Sequence, residues 1–223
     1  MKKIKIMKSV LGANDQVAGE FRKLLTSKGV LALNVMSSPG SGKTTLLRRT
    51  VKELKGKYKI GIIEGDIETS LDAEKFSDLD VPVVSINTGP FGGDCHLEAP
   101  WIQQAAENLD FENLDIIFIE NIGNLVCPAE FDTGSHGNVT VLSMPEGEDK
   151  PLKYPLAFNV SKCILLNKVD LEEILEFDTE RFKKNLKKVN PKAELLIISA
   201  KTGRGFEKWL KWVEEKIKEV KNG

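Results

Sequence analysis

The sequence predicts a doubly wound α/β fold, a mainly parallel sheet flanked by helices, in a single domain over residues 1–223. Three observations predict it. Short apolar runs recur at residues 30–36, 59–63, 81–86, 115–120, 139–142, 162–167 and 195–199. They are continuous rather than alternating, which marks strands covered on both faces. Helix-like stretches at 43–55, 100–109, 178–189 and 206–220 fall between or after them, the alternation that builds a parallel sheet. The first apolar run opens directly into a Gly-rich segment and then a helix, the order of a phosphate-binding loop.

The elements follow in order. Asn14 is placed to cap a helix over 14–28, whose stripe of Val17, Phe21, Leu24 and Leu25 packs on the domain and which Gly29 ends. The strand at 30–36 then delivers Ser37-Ser38-Pro39-Gly40-Ser41-Gly42-Lys43-Thr44-Thr45. Small residues let the backbone wrap phosphate oxygens, the following helix aims amide N–H groups at them, and Lys43 brings a positive charge to the β- and γ-phosphates. Thr44 offers its hydroxyl to magnesium. The usual pattern begins with Gly where this chain has Ser37.

Carboxylates are expected near the γ-phosphate, and two strand ends supply them. Asp66 closes Glu64-Gly65-Asp66 and is the first choice for magnesium; Glu120, in Glu120-Asn121-Ile122-Gly123, is the second. Lys43, Asp66 and Glu120 are therefore the candidate catalytic groups, with Gly123 as an amide donor to the γ-phosphate. Asn124 stands where many small GTPases carry a water-orienting Gln, so slow turnover is expected.

The strand at 162–167 ends in Asn167-Lys168-Val169-Asp170. A carboxylate there accepts from guanine N1–H and the exocyclic amine, whereas adenine presents the wrong edge. Lys168 lays its stem over the base, and Ser199-Ala200-Lys201 after the next strand offers a backbone amide to guanine O6. The nucleotide is expected to be GTP.

Cys95-His96 and Cys127-Pro128 also follow strand ends. Thiolate and imidazole suit nickel or zinc. Three protein donors leave a tetrahedral shell one short, to be filled by water, a chelator or a second protomer. Cys163 begins an apolar run and reads as a core thiol, and His136 as a loop residue. Three cysteines do not make a disulfide framework, so free thiols or metal ligands are expected.

Lys plus Arg total 32 against 33 Asp plus Glu, a net charge of −1 that gives no electrostatic reason for a nucleic-acid or membrane partner. The longest apolar runs are too short to span a bilayer, and no secretory h-region follows the basic start. A soluble, cytoplasmic protein is expected.

Ser-Pro-Gly-Ser-Gly-Lys-Thr-Thr, Glu-Gly-Asp-Ile-Glu-Thr, Asp-Cys-His-Leu, Glu-Asn-Ile-Gly-Asn-Leu-Val-Cys-Pro and Asn-Lys-Val-Asp together closely resemble the HypB hydrogenase-maturation GTPases, of the SIMIBI class of P-loop proteins. The resemblance implies GTP-dependent homodimerisation and metal held by Cys95, His96 and Cys127 near the dimer interface. It further implies nickel delivery to a [NiFe]-hydrogenase large-subunit precursor, with a partner nickel chaperone. It makes Lys153 a candidate for reaching the guanine region across the dimer. The chain departs from some relatives in having no Cys-x-x-Cys or His-rich tract, so high-capacity nickel storage is not expected. Ser38 stands where relatives in the wider class carry an extra lysine, which leaves catalysis through that lysine unsupported. The alternatives are a urease-type metallochaperone GTPase, which resembles this chain but carries Cys-Pro-His where Ala129 follows Cys127-Pro128, and a GTP-gated metal-binding scaffold.

Overall fold

The computed structural model describes residues 4–66, 75–89 and 95–223. Strands β1 (Leu31–Ser37), β2 (Ile60–Asp66), β3 (Val83–Asn87), β4 (Ile116–Gly123), β5 (Gly137–Ser143), β6 (Ser161–Asn167) and β7 (Glu194–Ile197) form one sheet in the order β3-β2-β4-β1-β5-β6-β7. Every strand pairing in it is parallel. With β1 central between β4 and β5, the loops after these strands and after β6 open on one edge, where ligands bind in such sheets.

Alternate strand residues face opposite layers, which is why the runs carry no polar alternation. On one face α2 (Lys43–Leu54) and α8 (Phe206–Asn222) bury Leu46, Leu47, Val51, Trp209 and Val213 over Leu33, Val35, Phe118 and Val141. Trp209 stacks on Trp212 and donates its Nε1–H to Thr50 Oγ1 at 2.8 Å, so both indoles serve the packing of this face. On the other face α1 (Ile4–Ser27) and α3 (Ala99–Asn108) set Phe21, Leu25, Ile102 and Ala105 against Ala32, Ile63, Ile117 and Ile119. There too α6 (Pro155–Asn159) and α7 (Thr179–Val189) bring Phe158, Phe182 and Leu186 onto Leu142, Ile164 and Leu166.

One boundary differs from the sequence reading. Helix α1 begins at Ile4, and Asn14 lies inside it rather than at its start. The Asn14 side chain, 3% exposed, donates to Asp132 O at 2.9 Å and accepts from Ala99 N–H at 2.8 Å. An amide that looks like a cap in the sequence is satisfied by two distant segments instead. No helix among the described residues is long and apolar enough to cross a membrane.

Candidate functional site

The segment after β1 wraps a cavity of about 800 Å³ lined by Ser37–Thr45 together with Arg48, Glu120, Ile122, Gly123 and Lys168. Gly40 and Gly42 hold φ of 76° and 93°, in the left-handed region that favours glycine. A Cβ on Gly42 would also meet Asn167 Nδ2 at 2.6 Å, so the loop turns close to β6 only because that side chain is absent. Lys43 and Thr44 open α2. Thr44 Oγ1 donates to Glu120 Oε1 at 2.6 Å, and Lys43 Nζ lies 3.6 Å from the same oxygen. Glu120 is 3% exposed, and its Oε2 is buried with no hydrogen-bond partner among the described residues. Asp66, the first choice for magnesium, closes β2, but its carboxylate is not among the described side chains; among those described, the acidic group brought to Lys43 and Thr44 is the second choice, Glu120.

The base-reading segments are joined to this loop by hydrogen bonds. Asn167 Nδ2 donates to Ser41 O and its Oδ1 accepts from Ala200 N–H, both at 2.9 Å. Lys168, itself at φ 64°, donates Nζ to Gly40 O at 2.7 Å. Ser199 Oγ donates to Asp170 Oδ1 at 2.5 Å. Residues 167–170, 199–200 and the phosphate loop are therefore one connected unit. Lys201 is exposed, and its carbonyl accepts from Arg49 at 3.3 Å. Gly123 approaches Pro39, where a Cβ would stand 3.4 Å from the proline ring.

Glu146 was not anticipated. Its Oε1 accepts from Ser41 Oγ at 2.7 Å, Ser143 N–H at 2.8 Å and Ser143 Oγ at 2.9 Å, bracing the phosphate loop from the turn after β5. The signal was present as Ser143-Met-Pro-Glu146, a capping box. The segment reads as a plain polar loop until its tertiary partner is known.

Cys95 and Cys127 converge with Cα atoms 6.1 Å apart and are joined as a disulfide. The pairing departs from the free thiols expected at these two positions. Their segments leave β3 and β4, neighbours of β2, and the resulting Cα separation is one a disulfide spans; sequence separation conceals it. Among the described residues no three His, Cys, Asp or Glu side chains are arranged to hold a metal ion. The rest of the expected loop, residues 90–94, lies outside the described residues. His96 stacks on Phe131 with ring centroids 3.6 Å apart. Asn124 links the segments: its Nδ2 donates to Cys95 O at 3.5 Å and its Oδ1 accepts from Val126 N–H at 2.8 Å. Cys163 is a buried free thiol, as expected, its pKa raised by burial.

The CobW/HypB/UreG nucleotide-binding domain matches residues 31–197, from β1 to the end of β7. A probable hydrogenase maturation factor HypB of Methanocaldococcus jannaschii is 41% identical over 97% of this chain and 96% of its own. The chain belongs to the HypB family. Two HypB crystal structures share its architecture. That of Archaeoglobus fulgidus superposes with a TM-score of 0.85 at 36% identity, covering 93% of this chain and 100% of the other. That of HypB from Helicobacter pylori in complex with nickel gives 0.86 at 36% identity, covering 93% and 96%. The residues named as lining the cavity all fall within the span that the nucleotide-binding domain matches. In this HypB chain Lys153, in α5 (Lys150–Lys153), is exposed and paired with Asp149 at 2.7 Å within its own protomer.

Proposed function

We propose that this chain is a GTP-hydrolysing metallochaperone that binds nickel or zinc, dimerises in its GTP state and assists nickel insertion into a [NiFe]-hydrogenase precursor alongside a partner nickel chaperone. The observation that carries the reading is the bonded unit of phosphate loop, Asn167-Lys168-x-Asp170 and Ser199-Ala200. It fixes the distance between a phosphate cradle and a carboxylate held by Ser199 at the base end. A carboxylate so placed selects guanine over adenine, because only guanine offers two donors on that edge.

The chain's own groups support a slow switch. Lys43 and the loop amides hold the β- and γ-phosphates. Thr44 and Glu120 Oε2, unpartnered among the described residues, form an oxygen donor set that fits magnesium, which when bound neutralises charge developing on the phosphoryl oxygens. Asn124 has both ends of its amide engaged. It is therefore poorly placed to orient an attacking water, and it instead connects Gly123 to the segments carrying Cys95 and Cys127. A nucleotide-dependent shift of Gly123 reaches the metal-handling residues through this one side chain.

The test is Asp170→Asn. Loss of charge-assisted bonds worth about 1.5–3 kcal/mol each is expected to weaken GTP roughly 100-fold. The variant should gain affinity for xanthosine triphosphate, whose second carbonyl accepts from the new amide. Unchanged preference for GTP would remove the guanine reading.

A further inference from the structure

Arg49 lies in the second turn of α2, the helix that Lys43 and Thr44 open, yet its hydrogen bonds go to the segment after β7. Nη1 donates to Ala200 O at 3.4 Å and to Lys201 O at 3.3 Å. The guanidinium stands 5.1 Å from the centroid of the buried Phe206 ring, at the start of α8, a cation–π contact. Gly203, at φ 91°, passes so close that a Cβ there would meet Nη2 at 2.3 Å. Glu53 Oε1 is 3.9 Å from Nη2, beyond hydrogen-bonding distance. Nε is sealed from solvent and has no hydrogen-bond partner among the described residues. The fork is therefore enclosed by residues 200–206 rather than paired along its own helix.

The two carbonyls it holds belong to successive trans peptide planes, in which C=O and N–H point in opposite directions. Anchoring Ala200 O and Lys201 O on one side aims the N–H groups of Lys201 and Thr202 to the other. Thr202 N–H donates to Ser199 Oγ at 3.0 Å, and Ser199 Oγ donates to Asp170 Oδ1 at 2.5 Å. We propose that Arg49 is a positioning residue for guanine specificity. By bridging adjacent carbonyls it sets the turn that holds Asp170 through Ser199 and presents a backbone amide to guanine O6. A planar fork suits two neighbouring acceptors better than the point charge of a lysine. The inference rests on the guanine reading above. With the Asn167 bond to Ser41 O, it gives the base-reading segments a second tie to the phosphate loop and its helix.

The test compares wild type, Arg49→Met and Arg49→Lys by competition of unlabelled nucleotides against a fluorescent GDP analogue. The competitors are GDP, inosine diphosphate, which lacks the exocyclic amine, and 6-thioguanosine diphosphate, whose sulfur is a weak acceptor in place of O6. Arg49→Met keeps an unbranched stem beside Phe206 but has no donor. It is expected to lower the preference for GDP over both analogues roughly 5-fold, the worth of one modest hydrogen bond, while the ratio of GTP to GDP affinity stays at the wild-type value. Arg49→Lys, which keeps charge and a donor, should fall between the two. If Arg49→Met weakens all three diphosphates equally, or none of them, Arg49 only packs α2 against α8 and the assignment is overturned. A wild type that binds the three diphosphates equally would instead overturn the guanine reading itself.

Discussion

At the scale of single residues, the site depends on side chains whose partners are distant in sequence. Asn167 and Asp170 are identifiable from spacing alone, because a strand-end Asn-Lys-x-Asp has few other uses. Glu146 and Asn14 are not, since a polar loop and a helix cap account for each until Ser41 and Asp132 are seen beside them. His136 is a similar case. It reads as a lone loop imidazole, but its Nδ1 accepts from Ala32 N–H and its Nε2 meets Thr26 Oγ1, both at 3.0 Å. Burial, with Arg22 and Lys162 nearby, lowers its pKa from 6.5 to about 4. In the pH window between those values the unfolded chain binds the extra proton. The neutral ring's stabilisation is therefore complete above about pH 6.5 and is lost as pH falls toward 4. Allowing for partial exposure, it contributes about 2 kcal/mol. Urea unfolding of wild type and His136→Gln across that window should show the wild type losing this much more on acidification. Parallel profiles would contradict the assignment.

At the scale of elements, the strands were legible because continuous apolar runs between helices leave few alternatives. The start of α1 was not, because its cap signal is used elsewhere. That difference matters to function. Helix α1 fastens the segment after His96 through Ala99 and the segment after Cys127 through Asp132. Arg22 Nη2 adds hydrogen bonds to both Asp132 carboxylate oxygens at 2.5 and 2.7 Å. Asn14→Ala is expected to cost about 2 kcal/mol, since it leaves a buried donor and acceptor unpaired. It should also speed amide hydrogen exchange at Ala99 and around Asp132, with nucleotide affinity unchanged. Exchange that stays at the wild-type rate at both places would show that α1 does not hold these segments.

At the scale of the whole molecule, strand order gathers residues from β1, β4, β5 and β6 at one edge, with the segments bearing Cys95, His96 and Cys127 beside them. The sequence reveals the strand ends but not their adjacency, which is why the pairing of Cys95 with Cys127 emerges only in three dimensions. Under the proposed function, guanine nucleotide state controls the metal site. The most direct measurement is nickel affinity and molecular mass in solution of the reduced protein, loaded with GDP or with a non-hydrolysable GTP analogue. Expected are a monomer with GDP, a dimer with the analogue, and a different nickel affinity in the two states. Equal affinity and equal mass in both would contradict it.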